Sequence, residues 1–188
     1  MILYKKLANE LVQLADDDLL LRNELAEKGE LQKGYHPAME AVHRENAKRL
    51  REIIAEIGYP GISKVGAKAS EAAWLIVQHA ISEPDFMQHC YQLMISEKED
   101  INPAHIAYLY DRIHYFKSKP QRFGTQLTAD GGIYPVEDKA NLNKQRLRMN
   151  LPELSQMKLD SVYDLDQLAT LDQQDMDYTI WRKEVGWL

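Results

Sequence analysis

The chain has 188 residues, 45% of them hydrophobic and 28% charged, with a formal net charge of −6. That length suits one ordinary domain, or one domain with an appendage, and the acidic balance argues against a nucleic-acid-binding surface. No apolar run approaches the roughly 18 residues that span a bilayer, and Met1-Ile2-Leu3-Tyr4-Lys5-Lys6 lacks the core of a signal peptide, so a soluble, cytoplasmic chain with no membrane or nucleic-acid partner is expected. Cys90 is the single cysteine, which excludes an internal disulfide and a cysteine-rich zinc site.

In chain order, residues 3–26 place Leu7, Leu11, Leu14, Leu21 and Leu25 at helical intervals while Lys5, Glu10 and Asp17 stay wet, the pattern of an amphipathic helix. Gly29 and Gly34 punctuate its exit. Pro37 suits the first turn of a second helix that runs to Ile57, where Gly58-Tyr59-Pro60 supplies a stop. Residues 69–81 are apolar nearly all round, with an unbroken apolar run from Ala72 to Val77, and predict a central buried third helix. Pro84 opens a fourth helix. Asn102-Pro103 reads as an N-cap followed by Pro at the first position of a fifth, which runs to Phe116.

Beyond Lys119-Pro120 the pattern changes. Residues 125–128 and 133–136 flank Asp130-Gly131-Gly132, a turn signal that predicts a small β-hairpin over about 124–137, with Pro135 on an edge strand. A short helix follows over 139–149, with Asp138 placed to cap it, and Leu151-Pro152 breaks it. The expected fold class is therefore mainly α: a helical bundle-like domain of about five main helices, residues 1–158, with a small C-terminal β-hairpin. An acidic extension over 159–188 carries Trp181 and Trp187 and is expected to dock as short helices.

Four stretches in this order, Trp74-Leu75-Ile76-Val77-Gln78-His79-Ala80, Ala107-Tyr108-Leu109-Tyr110-Asp111-Arg112, Lys119-Pro120-Gln121-Arg122-Phe123-Gly124-Thr125-Gln126 and Pro135-Val136-Glu137-Asp138, resemble an uncharacterised bacterial domain family with motifs WLLVQHA, AYLTDR, KPQxYGTQ and PIED. Tyr110 stands where that family has Thr, Phe123 where it has Tyr and Val136 where it has Ile. The likeness runs from Arg22 to Leu154. It implies a candidate site at the motif residues, and it names no reaction, so reaction type and cofactor are left unknown.

On the third helix, Glu71 and Gln78 lie about 20° apart on one face with His79 on its flank. Polar groups there need partners, since one left buried and unpaired costs roughly 1–3 kcal/mol. Two readings of His79 stay open: a core histidine that anchors a loop, or a catalytic acid–base group. On the fifth helix, His105, Tyr108 and Arg112 share a face through spacings of three and four, which presents an imidazole, a phenol and a guanidinium. Arg112 can hold an anion or a simple salt bridge. Gly124 allows close backbone approach, and Gln121, Thr125 and Gln126 offer orienting groups, in a binding loop or in an ordinary strand entry alike. Glu137 is a further ligand candidate.

His36-x-x-x-Glu40-x-x-His43 offers three groups within about 60° of helix surface, including an E-x-x-H spacing used by metal bundles. A second E-x-x-H and further inward carboxylates do not occur in the sequence, so no metal is assigned. Asp164-x-Asp166 fails the calcium-loop pattern, and no nucleophile elbow, HExxH or dinucleotide fingerprint is present. Two functional classes remain. One is an enzyme or small-molecule binder with a polar pocket around His79, Arg112 and the Gly124-Thr125-Gln126 loop, taking a small anionic or amide-bearing ligand. The other is a protein-interaction or regulatory module whose motif residues are structural and whose acidic tail contacts a partner.

Overall fold

A computed structural model of the chain describes residues 2–31, 34–173 and 176–188. The chain divides into two compact units, Met1–Ile101 and Asn102–Leu188.

The first unit is built on three long helices. Helix α1 spans Lys5–Glu27 and buries Ala8, Leu11, Ala15, Asp18 and Leu25, a stripe at spacings of three, four and seven. Helix α2, Pro37–Ile57, starts where His36 acts as N-cap, its Nδ1 accepting the amide of Ala38 at 3.2 Å, and ends at Gly58 with φ 73°. After the four-residue α3, Ile62–Val65, helix α4 spans Ala67–His79 and packs against both α1 and α2. Small side chains at Ala69, Ala72 and Ala73 let the neighbouring backbones approach, and Ile76 and Val77 fill what remains. Leu11, Leu50, Ile53 and Ile76 are all essentially fully buried, each worth roughly 1.5–3 kcal/mol of transfer free energy. Helix α5, Pro84–Ser96, completes this unit with Phe86, Met87, Cys90 and Met94 inward.

In the second unit, helix α6 spans Pro103–Phe116 behind the Asn102 cap, whose side chain accepts the Ala104 amide at 3.1 Å. Asp138 caps a short 3-10 turn, Lys139–Asn141, that leads into α7, Leu142–Arg148. Short helices α8 (Gln156–Asp160), α9 (Leu168–Gln173) and α10 (Met176–Glu184) follow. Trp187 stacks on Phe116 with ring centroids 5.0 Å apart, and Arg182 is fully buried beside the Phe116 carbonyl and the Ser118 hydroxyl.

The expected β-hairpin is absent, and among the described residues there is no strand at all. The turn itself forms: Gly131 takes φ 84° and the Thr128 amide donates to the Gly132 carbonyl at 2.9 Å. The ladder beyond it stops at an isolated bridge between Leu127 and Ile133. The Tyr134 amide still donates to the Gln126 carbonyl at 3.1 Å, but the reciprocal bond is diverted, as the buried Gln121 side-chain amide donates to the carbonyls of Gln126 and Tyr134 and accepts from the Gln126 amide. Ile133 instead pairs with residues 161 and 163, donating to the Ser161 carbonyl and accepting from the Tyr163 amide. Pro135 has no amide hydrogen to extend the pairing. Among the described residues, no helix is long and apolar enough to cross a membrane.

Candidate functional site

Asp18 lies on the buried stripe of α1, where the helical spacing calls for an apolar residue, and it is 1% exposed. A carboxylate there has to find partners, and it finds two imidazoles. Asp18 Oδ1 faces His43 Nε2 at 3.2 Å, and Asp18 Oδ2 faces His79 Nδ1 at 2.8 Å. His43 comes from the inward face of α2, between Met39 and Asn46, and His79 from the last turn of α4. Burial pushes the Asp18 carboxyl up, but hydrogen bonds from His43 and His79 more than offset it, so the group stays ionised well below the usual carboxylate range.

Tyr35, which precedes the α2 cap, completes the cluster. Its hydroxyl lies 2.6 Å from His43 Nδ1 and 3.5 Å from the His79 carbonyl, and its ring stacks on the His43 ring at 5.7 Å. Burial holds its phenol well above the ordinary tyrosine value. The His43 and His79 rings sit 4.9 Å apart, and one donor atom from each of Asp18, His43 and His79 falls within 4.8 Å of the others. The His79 side chain is 20% exposed, so the cluster is open on that side and closed around Asp18. A carboxylate that orients imidazoles in this way fixes which nitrogen carries the proton, the arrangement needed for proton transfer.

Of the residues singled out in the sequence, two enter this cluster: His79, and His43 from the pattern on α2 to which no metal was assigned. Gln78 beside His79 is buried, whereas Glu71, one helical repeat away, is exposed and lines a shallow groove with Lys68 and Trp74. The metal pattern on α2 comes apart: His36 caps the helix, Glu40 pairs with Arg44 at 2.7 Å, and only His43 turns inward.

Arg112, His105, Tyr108, Gln121, Thr125, Gln126 and Glu137 all belong to the second unit. There the fully buried Asp111 on α6 accepts the amides of Arg122, Phe123 and Thr125 and the Thr125 hydroxyl, all between 2.8 and 3.2 Å. Burial pushes its carboxyl up to about 6, in spite of those four donors. Gly124, at φ 65°, makes the tight turn that aims these amides at one carboxylate. Arg146 donates to the Phe123 and Pro152 carbonyls from the other side of the loop. His105 is buried near Asn102, while Tyr108 is exposed and Arg112 half-buried on the same helix. Glu137 accepts from Tyr110 at 2.6 Å and from Arg122 at 2.8 Å near the surface.

Asp18 and Tyr35 were missed in the sequence, and His43 was noted there only as part of a metal spacing along α2, though a signal for Asp18 existed. The leucine stripe 7, 11, 14, 21, 25 has a gap at 18, and an aspartate fills it.

Residues 5–167 match the model of a family described as a family of unknown function, DUF6624. No curated protein and no solved structure matches the chain.

Proposed function

We propose, for a chain that belongs to the DUF6624 family and takes no reaction from it, that the first unit is a small-molecule-binding or enzymatic centre built on Asp18, His43 and His79. The observation that carries this is the 2.8 Å contact between a buried carboxylate and His79 Nδ1 on a ring that keeps partial access to solvent. Asp18 holds the Nδ1 proton and stabilises the imidazolium, and Nε2 is the edge that gives a proton to, or takes one from, a small anionic or amide-bearing ligand. His43, held by Tyr35, shares the same carboxylate and keeps it ionised. Groups in such roles contribute on the order of 10²–10⁴ in rate.

The test is a ligand and hydrolysis screen on the full chain and on His79→Gln. The variant is expected to keep its Tm within about 3 °C, since the ring is partly exposed, and to lose binding or turnover found with the wild type. A variant that unfolds while the wild-type chain binds nothing in the screen would make the cluster structural. The alternative reading, a protein-interaction module, draws on the tail. Trp187 is spent on Phe116, so a partner would be met by Met157, Met176, Ile180 and Leu188, which are exposed. A pulldown that depends on Met176 and Ile180, but not on His79, would favour it.

A further inference from the structure

We propose that Asp18, His43 and His79 bind a first-row divalent transition-metal ion through one carboxylate oxygen and two imidazole nitrogens. This rests on the reading of the cluster as the functional centre, and it puts a cation where protons otherwise link the three side chains.

Ions of this class bind imidazole nitrogen and carboxylate oxygen at about 2.0–2.2 Å, which sets neighbouring donors around one ion about 3 Å apart. The carboxylate of Asp18 already lies 3.2 Å from His43 Nε2 and 2.8 Å from His79 Nδ1, and the three donors fall within 4.8 Å of one another. They come from three helices packed together, α1, α2 and α4, so the spacing is set by the core and not by a loop.

Charge and outer contacts agree with this. Asp18 is nearly fully buried, and its hydrogen-bond partners among the described residues are imidazoles, with no lysine or arginine to balance the charge. Metal-bound histidines commonly use the second ring nitrogen on an orienting group. For His43 that group is the Tyr35 hydroxyl, 2.6 Å from Nδ1, which leaves Nε2 aimed at Asp18. The donor set selects the metal class. Two imidazoles and one carboxylate suit zinc, iron, manganese or cobalt, whereas calcium and magnesium prefer oxygen throughout. Three protein donors leave coordination positions free, and the 20% exposure of His79 gives water or a ligand a way to reach them.

The experiment uses the full chain without a polyhistidine tag, stripped with chelator and titrated with Co²⁺ and Zn²⁺, with Mg²⁺ as the contrast. Visible absorption bands should appear and saturate at about one Co²⁺ per chain, Zn²⁺ should displace Co²⁺ and raise the Tm by about 5 °C, and Mg²⁺ should do neither. Either His43→Gln or His79→Gln should lower Co²⁺ affinity at least tenfold. A folded wild-type chain with no bands and no Tm response to Zn²⁺ overturns the proposal, as do bands that persist unchanged in both variants. If Co²⁺ fails to bind but His79→Gln still abolishes small-molecule binding, the metal falls and the acid–base centre stands. If Co²⁺ binds and the ligand screen is indifferent to His79, the metal stands and that centre falls.

Discussion

Two aspartates, one in each unit, are buried to the same degree and put to opposite uses. Asp111 is surrounded by donors that cannot change: three backbone amides and a threonine hydroxyl, all from the loop it holds. Asp18 is surrounded by two imidazoles, which can exchange a proton or a cation. Fixed amides make a carboxylate an anchor, whereas titratable neighbours make it a site. The motif residues of the second unit that looked like a binding loop, Gln121, Thr125 and Gln126, are engaged mainly with the loop's own backbone and with Asp111.

Breaking the anchor should have the largest effect. Asp111→Ala strands several buried donors at once and is expected to cost about 3 kcal/mol in urea denaturation. Hydrogen exchange should place the loss in α6 and residues 121–126, with α1 and α4 less affected. The same change should leave His79-dependent binding in place, and loss of both together would erase the distinction between anchor and site.

Asp18→Asn should cost less, about 1–2 kcal/mol by the same measurement, because an amide oxygen can still accept from one imidazole. It should nonetheless abolish the ligand or metal response. A stable variant with unchanged binding would reduce Asp18 to a second anchor.

A smaller, pH-dependent effect separates the two further. The folded Asp111 carboxyl sits at about 6 against an ordinary 3.8, so the native state holds its proton more tightly than the unfolded chain does. Stability from this group is therefore greatest below about pH 4 and declines as the pH rises through 6. Urea melts from pH 4 to 7 should show that slope in the wild type, and Asp111→Asn should remove it. The smallest change is expected at Glu137, whose pairing with Arg122 and Tyr110 lies near the surface: Glu137→Gln should alter stability by under about 1 kcal/mol in a thermal melt.

The helices were legible because their signals are local. Pro37, Pro84 and Asn102-Pro103 mark starts, and the apolar run around Ala72 to Val77 marks the central helix. His79 was legible as a polar residue on that helix. Its partners were not, because Asp18 and His43 lie 61 and 36 positions away on other helices, and spacing along one helix says nothing about what a neighbouring helix presents. The hairpin failed for a related reason. Asp130-Gly131-Gly132 does turn the chain, but whether a ladder follows depends on Gln121 and on residues 161–163, which compete for the same backbone groups. A turn signal cannot register competitors from elsewhere in the chain.

Sequence separation also sets an order of events. Asp111 closes loops of 11 to 14 residues on its amides, a short-range contact that costs little chain entropy and can form early in folding. The contacts of Asp18 span 25 and 61 residues, and three helices must dock before they exist. The imidazole cluster is thus expected to assemble after such short-range contacts, and an ion or ligand that needs all three donors would report that α1, α2 and α4 have docked.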